Sequence, residues 1–301
     1  MTHETIDLGT KASALLEGSQ GVIITDCGDQ NARTRQQLRF GSLFGVRPEF
    51  IGLGPDNPDL EAAGQLVDVL DAVSTPVAYP STPIAVLVNV APRGDDIRSK
   101  WENGTPFCYF HYDIATVLAP YEGRALSLAH KLGMVSIVNL LDVPQVTRHL
   151  TAEDILSARE AENINNTQFR SLEFLPLVAR ELLGGRFIPA EQIELVGPQN
   201  VGAQVWFVDS FGNVKTTLLS GDVDFEAGKK VIINNQEVTC YERLTDVPTS
   251  EFGLTIGSSG YGDKRFLEVV KQKGRAADEF GLSIGDEVLI SASFGLESVN
   301  G

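Results

Sequence analysis

Asp26 closes the apolar run Gly21-Val-Ile-Ile-Thr25 and is followed by Cys27-Gly28-Asp29. A carboxylate at the carboxyl end of a buried strand can accept hydrogen bonds from vicinal hydroxyls such as those of a ribose, and open α/β sheets bind ligands at that edge. The competing reading is a helix N-cap or turn aspartate. A second cluster, Asp209-Ser-Phe-Gly-Asn-Val-Lys-Thr-Thr217, also follows a strand. Gly212 permits a bend there, Asn213 offers an amide whose donor and acceptor match an adenine edge, and Phe211 could stack on a base. An ordinary β-turn would use the same residue types. Gly257-Ser-Ser-Gly-Tyr-Gly-Asp-Lys-Arg265 reads as a small-residue loop whose amides and hydroxyls could hold a carboxylate. Neither GxxxxGK[ST] nor GxGxxG occurs in the required context, and GxSxG is absent. His3, His111, His130 and His149 form no HxH or HExxH pair, so no metal site and no cofactor are expected. His111, beside Asp113, reads as a strand position rather than half of an acid–base pair.

The elements that must position these residues change character along the chain. Up to Pro189, short apolar runs alternate with helical spacing. Strands are expected at 21–25, 50–53, 83–88, 109–112, 116–118 and 136–140. Helices are expected over 31–44, from Pro58 with Leu60, Ala63, Val67 and Leu70 on one face, after Thr151 with a partial capping box, and over 175–183 before Gly184-Gly185. This alternation predicts an α/β unit, a mostly parallel sheet with helices on both faces. Beyond Pro189 helical spacing nearly disappears. Short strands at 203–208, 214–219, 230–233, 237–241 and 287–290 predict a smaller antiparallel β-barrel or sandwich. The expected domains are therefore 1–188 and 189–301, with the boundary between Gly184 and Gln199.

Composition narrows the setting. The chain has 301 residues, and at the usual ~150 per domain that predicts about two domains. Forty acidic side chains against twenty-four basic ones give a formal charge of −16. That balance speaks against a broad nucleic-acid surface, which needs excess Lys and Arg. The longest apolar run, Ile84-Ala-Val-Leu-Val88, is far short of the ~18 residues of a membrane span, and Met1–Leu8 has no signal-peptide pattern. Cys27, Cys108 and Cys240 are odd in number and widely spaced, which fits a reducing cytoplasm rather than a disulfide framework.

Taken in order, these segments resemble the S-adenosylmethionine hydroxide adenosyltransferase family, which includes fluorinases and chlorinases. The family's Thr-Asp-Phe-Gly corresponds to Thr25-Asp26-Cys27-Gly28, its Asp-Ile-x-x-Ala-Ala to Asp59-Leu-Glu-Ala-Ala63, and its Pro-Asp-Asn-Gly turn to Pro120-Tyr-Glu-Gly123. Its helix Phe-Ala-Pro-x-Ala-Ala-x-Leu-x-x-Gly loosely matches Phe174 to Gly184. Its most specific signature, Asp-x-Phe-Gly-Asn-x-x-Thr-Asn, is nearly complete at Asp209–Thr217. Its Asn-Ser-x-Gly loop, with later Leu-Glu and Ala-Ala, aligns with Gly257–Gly260, Leu267-Glu268 and Ala276-Ala277.

The resemblance implies a homotrimer that holds a small adenosyl ligand between one subunit's first domain and its neighbour's second. Asp26 would hold the ribose hydroxyls, Phe211 and Asn213 the adenine, and Tyr241 would add an aromatic wall. Asp209 and Ser258 would meet the methionine amino-acid group. It further implies displacement at the ribose C5′, with water as nucleophile, releasing adenosine and methionine. The family's hydrolases use an Asp, an Arg and a His for this. Arg98 falls at the position of the Arg, but Ala91 replaces the Asp and Phe169 the His, and the Asp-Ile-Thr-His element becomes Gly52-Leu-Gly-Pro55. Asp95, Asp96 and His111 are the candidates for a substitute base. The alternative is a catalytically degenerate nucleoside-binding relative or a trimeric scaffold.

Overall fold

The first strand, β1 (Gln20–Thr25), carries Ile23 and Ile24 on opposite faces, both buried. Gly21 within it leaves room for Phe40, whose ring would lie 2.1 Å from a Cβ at that position. Phe40 belongs to α1 (Gln30–Phe44), a helix that buries Ala32, Gln36, Phe40 and Phe44, each four residues apart. Asp29 caps its start, accepting from the Asn31 and Ala32 amides, and Gly45 in the left-handed region (φ 72°) ends it. The computed structural model describes residues 19–74, 82–91, 105–195 and 201–292, and its chain divides into two units, Met1–Gln199 and Asn200–Gly301.

The first unit continues with β2 (Glu49–Gly52), α2 (Pro58–Val73), β3 (Ile84–Asn89), β4 (Phe107–Tyr112), β5 (Ala115–Pro120), α3 (Ser127–Lys131), β6 (Ile137–Leu141), α4 (Val143–Ala152), α5 (Ala158–Asn166), α6 (Arg170–Leu183) and β7 (Glu191–Glu194). The sheet order is β2-β1-β3-β5-β4-β6-β7. β2, β1, β3 and β5 are parallel neighbours. β4 lies antiparallel between β5 and β6, and β7 is antiparallel to β6, so the sheet is mixed rather than purely parallel. The cause is local: only Asp113 and Ile114 join β4 to β5, and a two-residue connection forces a hairpin, with Asp113 at φ 48°. Helices cover both faces. α1 and α6 pack with Ile23, Leu87 and Leu118 on one side, and α2 lies against β1 on the other.

One expectation for this unit needs correction. Thr151 does not open a helix; it sits in the last turn of α4, which begins earlier under an Asp142 cap on Gln145. The next helix is α5, whose capping box pairs Ser157 with Glu160. The division after Gln199 lies at the far end of the expected Gly184–Gln199 interval, since Glu191–Glu194 pairs with β6 as an edge strand of the first sheet.

The second unit contains β8 (Val205–Val208), β9 (Val214–Leu219), β10 (Lys230–Ile233), β11 (Gln236–Tyr241), β12 (Phe252–Tyr261), β13 (Lys264–Lys271), α7 (Ala276–Phe280) and β14 (Ile290–Ala292). Its sheet, β14-β10-β11-β12-β13-β9-β8, curls into a half-barrel around Val205, Val214, Val238, Leu254 and Val269. The approach to β14 is hydrogen-bonded to the start of β8 and the residues just before it: Val205 donates to the Asp286 carbonyl (2.9 Å) and Val288 to that of Ala203 (2.8 Å). One pair departs from the expected antiparallel pattern, since β11 and β12 are parallel. The expected strand at 287–290 is largely this approach segment, bridged at Glu287 to Gln204, and its last residue, Ile290, opens β14.

The Gly257–Arg265 stretch is not a loop. It forms the turn end of the β12–β13 hairpin, with a register shift between Ile256 and Gly260. Its small residues conceal a strand because of what they face: a Cβ on Gly257 would lie 2.4 Å from Glu268 Oε1.

Candidate functional site

In the first unit, the carboxyl ends of the parallel strands meet in a set of mutually bonded turns. Asp29 is the cap of α1, so Asp26 is not its N-cap. Asp26 is half-buried beyond β1, where its Oδ2 accepts from the Ala91 amide (3.3 Å) and its own amide donates to the Asn89 carbonyl (3.4 Å). These bonds tie the end of β1 to the end of β3. Buried Gln36 reinforces the junction, donating to the Cys27 carbonyl (3.1 Å) and accepting from Asn89 Nδ2 (2.8 Å). Burial, with the Asp26 carboxylate beside it, pushes the Cys27 thiol up from its ordinary pKa.

The β2 end joins the same edge. Leu53 N donates to the Thr25 carbonyl (2.9 Å), and the next amide, Gly54 N, donates to Glu61 Oε2 (2.9 Å) in the first turn of α2. Glu61 is 5% exposed, and burial pushes its carboxyl above the ordinary carboxylate range, an effect the Gly54 amide partly offsets. Asp59 on the same turn is 2% exposed and holds Arg124, whose Nη2 donates to Oδ1 (2.8 Å) and whose Nε donates to Oδ2 (3.2 Å). The same Nη2 reaches Asn57 Oδ1 (2.9 Å). Arg124 follows the Pro120–Gly123 turn, so this buried pair fastens the β5 end to the start of α2.

In the second unit, Asp209, Phe211 and Asn213 share one tight turn between β8 and β9. Asp209 Oδ1 accepts from the Phe211 and Asn213 amides (both 2.9 Å), and Oδ2 accepts from Asn213 Nδ2 (2.9 Å). The Asp209 amide donates to the Asn213 carbonyl (3.1 Å). The Asp209 carboxylate is thus engaged by its own turn, as in an Asx-turn. It also orients the Asn213 amide, whose Oδ1 and second N–H make no hydrogen bond among the described residues. Phe211 stands 74% exposed at the tip. Gly212 has φ +83°, and its carbonyl accepts from Ala277 N (2.9 Å); a Cβ there would meet Arg275 Cβ at 2.6 Å. Arg275 Nη1 donates to the Ser210 carbonyl (2.9 Å), so the start of α7 clasps the turn from behind.

Ser258 lies exposed on β12, and its carbonyl accepts from Arg265 Nη1 (2.9 Å). Its neighbour Ser259 is buried and accepts from Lys215 Nζ (2.6 Å). That bond brings the serine segment beside β9, two residues past Asn213. Lys215 also lies 3.9 Å from Glu268 and 5.3 Å from the centre of the Trp206 ring. Lys215, Ser259 and Trp206 were not singled out by sequence; the one available signal was that Lys215 occupies a variable position of the Asp209–Thr217 signature. Tyr241 ends β11, three strands from β9, about 14 Å across at ordinary strand spacing. Within one chain's second unit the structure therefore gathers Asp209, Phe211, Asn213 and the serine segment, and leaves Tyr241, which pairs with Thr255 on β12, apart from the 209–213 turn. Arg98, Asp95 and Asp96 lie outside the described residues. His111 is in β4 with Nδ1 3.0 Å from Thr116 Oγ1. Among the described residues no cluster of His, Cys, Asp and Glu could hold a metal, and no helix is long and apolar enough to cross a membrane.

Residues 203–289 match the family model of the SAM hydroxide adenosyltransferase C-terminal domain. That range contains the whole Asp209–Thr217 turn and the Gly257–Gly260 segment, and it bears out the resemblance to the SAM hydroxide adenosyltransferase family. The chain is similar in fold to an uncharacterized conserved protein from Thermotoga maritima, with a TM-score of 0.59 at 16% identity, covering 90% of this chain and 100% of that one. It is likewise similar to a conserved hypothetical protein from Thermus thermophilus, with a TM-score of 0.55 at 18% identity, covering 91% and 100%. At such identities the likeness is one of fold. No curated protein matches the chain.

Proposed function

We propose that the protein, as a homotrimer, binds an adenosyl ligand and cleaves S-adenosylmethionine at C5′, with water as nucleophile, to adenosine and methionine. The observation that carries this reading is the 209–213 turn. It lies within the matched family domain, and Asp209 holds the Asn213 amide with one acceptor and one donor still available for a base edge. In this reading Asn213 and the exposed Phe211 ring take the adenine, Asp26 takes the ribose hydroxyls, and Ser258 meets the amino-acid end. Arg98 orients the attacking water. The sulfonium departs as a neutral thioether, so no general acid is required. Catalysis consists of aligning the water with C5′ and partly stripping its solvent.

Incubation of the protein with S-adenosylmethionine, followed by chromatography, tests the reaction: adenosine and methionine accumulate above a heat-killed control. Asn213→Ala weakens adenosine binding by about 1–3 kcal/mol in calorimetry, because a base edge loses its partner. Unchanged affinity would refute the adenine assignment. A second reading, nucleoside binding without cleavage, is favoured by Ala91 and Phe169 at two hydrolytic positions. Adenosine binding with no product selects it.

A further inference from the structure

We propose that Glu61 is the proton acceptor for the attacking water, in place of the acidic and histidine residues absent at Ala91 and Phe169. The inference rests on the cleavage reading above. Four observations carry it. α2 starts at the carboxyl edge of the parallel strands and lies against β1, so its first turn stands above the end of the strand that bears Asp26. The link is short: Glu61 Oε2 binds Gly54 N, and the preceding amide, Leu53 N, binds the carbonyl of Thr25, the residue before Asp26. Two hydrogen bonds and one residue of backbone keep the Glu61 carboxyl within about 10 Å of that carbonyl. The segment that Glu61 holds, Gly52–Pro55, is the one that has lost its Asp-Ile-Thr-His pattern. Finally, Oε2 is committed to Gly54, whereas Oε1 accepts no hydrogen bond among the described residues and is not one of the occluded orphan oxygens.

Among the described residues, the charged and titratable groups along this edge are Asp26, Cys27 and Asp29 beyond β1, Asp56 in the turn before α2, Asp59 on α2, and Tyr121, Glu122 and Arg124 beyond β5. Asp59 and Arg124 neutralise each other. Burial, rather than a charged neighbour, raises the Glu61 pKa, which moves its titration toward the range useful to a base at neutral pH. In the proposed step the water oxygen forms its bond to C5′ while the C5′–S bond breaks. The bonding pair leaves on sulfur as the methionine thioether, and the water proton passes to Glu61 Oε1.

The experiment measures adenosine release from S-adenosylmethionine between pH 5 and 9 for the full chain, Glu61→Gln and Glu61→Asp, with adenosine affinity and melting temperature recorded for each. The expected wild-type rate rises with pH to a plateau, with its midpoint above the ordinary carboxylate range. Glu61→Gln falls by about 10²–10⁴-fold and loses the rising limb, while its adenosine affinity stays within about twofold. Glu61→Asp recovers part of the rate with a displaced midpoint. A Gln variant with the wild-type profile overturns the proposal. So does one whose rate and adenosine affinity fall together with no rescue by Asp, which would mark Glu61 as a structural clasp. If Glu61→Gln does not fold, an Asp variant with an unmoved midpoint overturns it. Wild-type protein that binds adenosine but releases no product removes the cleavage reading itself, and the proposal with it.

Discussion

Replacing Asp209 by alanine removes the acceptor around which the signature turn is built. Three donors lose their partner: the Phe211 amide, the Asn213 amide and Asn213 Nδ2, each at 2.9 Å. The first is solvent-exposed and can turn to water at little cost. The other two belong to a residue only 8% exposed, where a hydrogen bond to a charged acceptor is worth about 1.5–3 kcal/mol. Because Asp209 is itself half-buried, the full sum is an upper bound, and a loss of about 2–4 kcal/mol is expected. For a unit of about 100 residues that is a fall on the order of 10–20 °C in melting temperature. Asp209→Asn keeps an oxygen for the two backbone amides, and the Asn213 amide can rotate to accept from the new amide, so the expected cost is about 1 kcal/mol. Guanidinium denaturation followed by fluorescence measures both variants. The functional counterpart is sharper. If the carboxylate serves the turn, Asp209→Ala weakens adenosine and S-adenosylmethionine equally; if it holds a methionine ammonium, only the latter suffers the larger loss. An alanine variant within 0.5 kcal/mol of wild type (about the spread of an ordinary surface substitution), or one as costly as the asparagine variant, refutes the reasoning.

Gly212→Ala should cost about 2–4 kcal/mol, combining a strained positive φ with a Cβ pressed 2.6 Å from Arg275 Cβ; a neutral effect in the same denaturation assay would show that the clasp yields. Arg124→Met leaves Asp59 buried without its partner, an expected loss of about 3–5 kcal/mol, whereas Asp59→Leu with Arg124→Met restores most of it. Equal stability of the single and double variants would contradict that account. Burial pushes both thiols up, but Cys108 is fully buried whereas Cys27 is only half-buried and open to a reagent. A thiol reagent at pH 8 should therefore modify Cys27 in the native protein and Cys108 only after unfolding, as read by mass spectrometry of peptides; equal labelling rates would count against the burial.

Local patterns were legible wherever a periodicity ran uninterrupted. The 84–88 run, short and rich in β-branched residues, read as a strand buried on both faces, and the spacing of Leu60, Ala63, Val67 and Leu70 read as a helix face turned to a core. The turn residues Asp209, Gly212 and Asn213 carry their chemistry in their types, so that motif was visible before any fold. What the sequence concealed were pairings. The β12–β13 hairpin hides behind glycines and serines, because Gly257 is small to fit Glu268 across the ladder, and no local rule contains that partner. The direction of β4 depends on a two-residue turn without a strong Gly signal. Asp26 and Asp29, three residues apart, are alike on paper; only the helix start shows that Asp29 does the capping. Glu61 is the clearest case. Along the chain it is an ordinary acidic residue in a first helical turn, where the helix dipole favours it. Only the folding of α2 over the carboxyl edge of β1 buries it, gives it a single amide partner and alters its acidity. Residue types and short spacings determine which chemistry a segment can offer. Desolvation and the meeting of residues distant in sequence belong to the tertiary structure, because both depend on what the rest of the chain brings alongside.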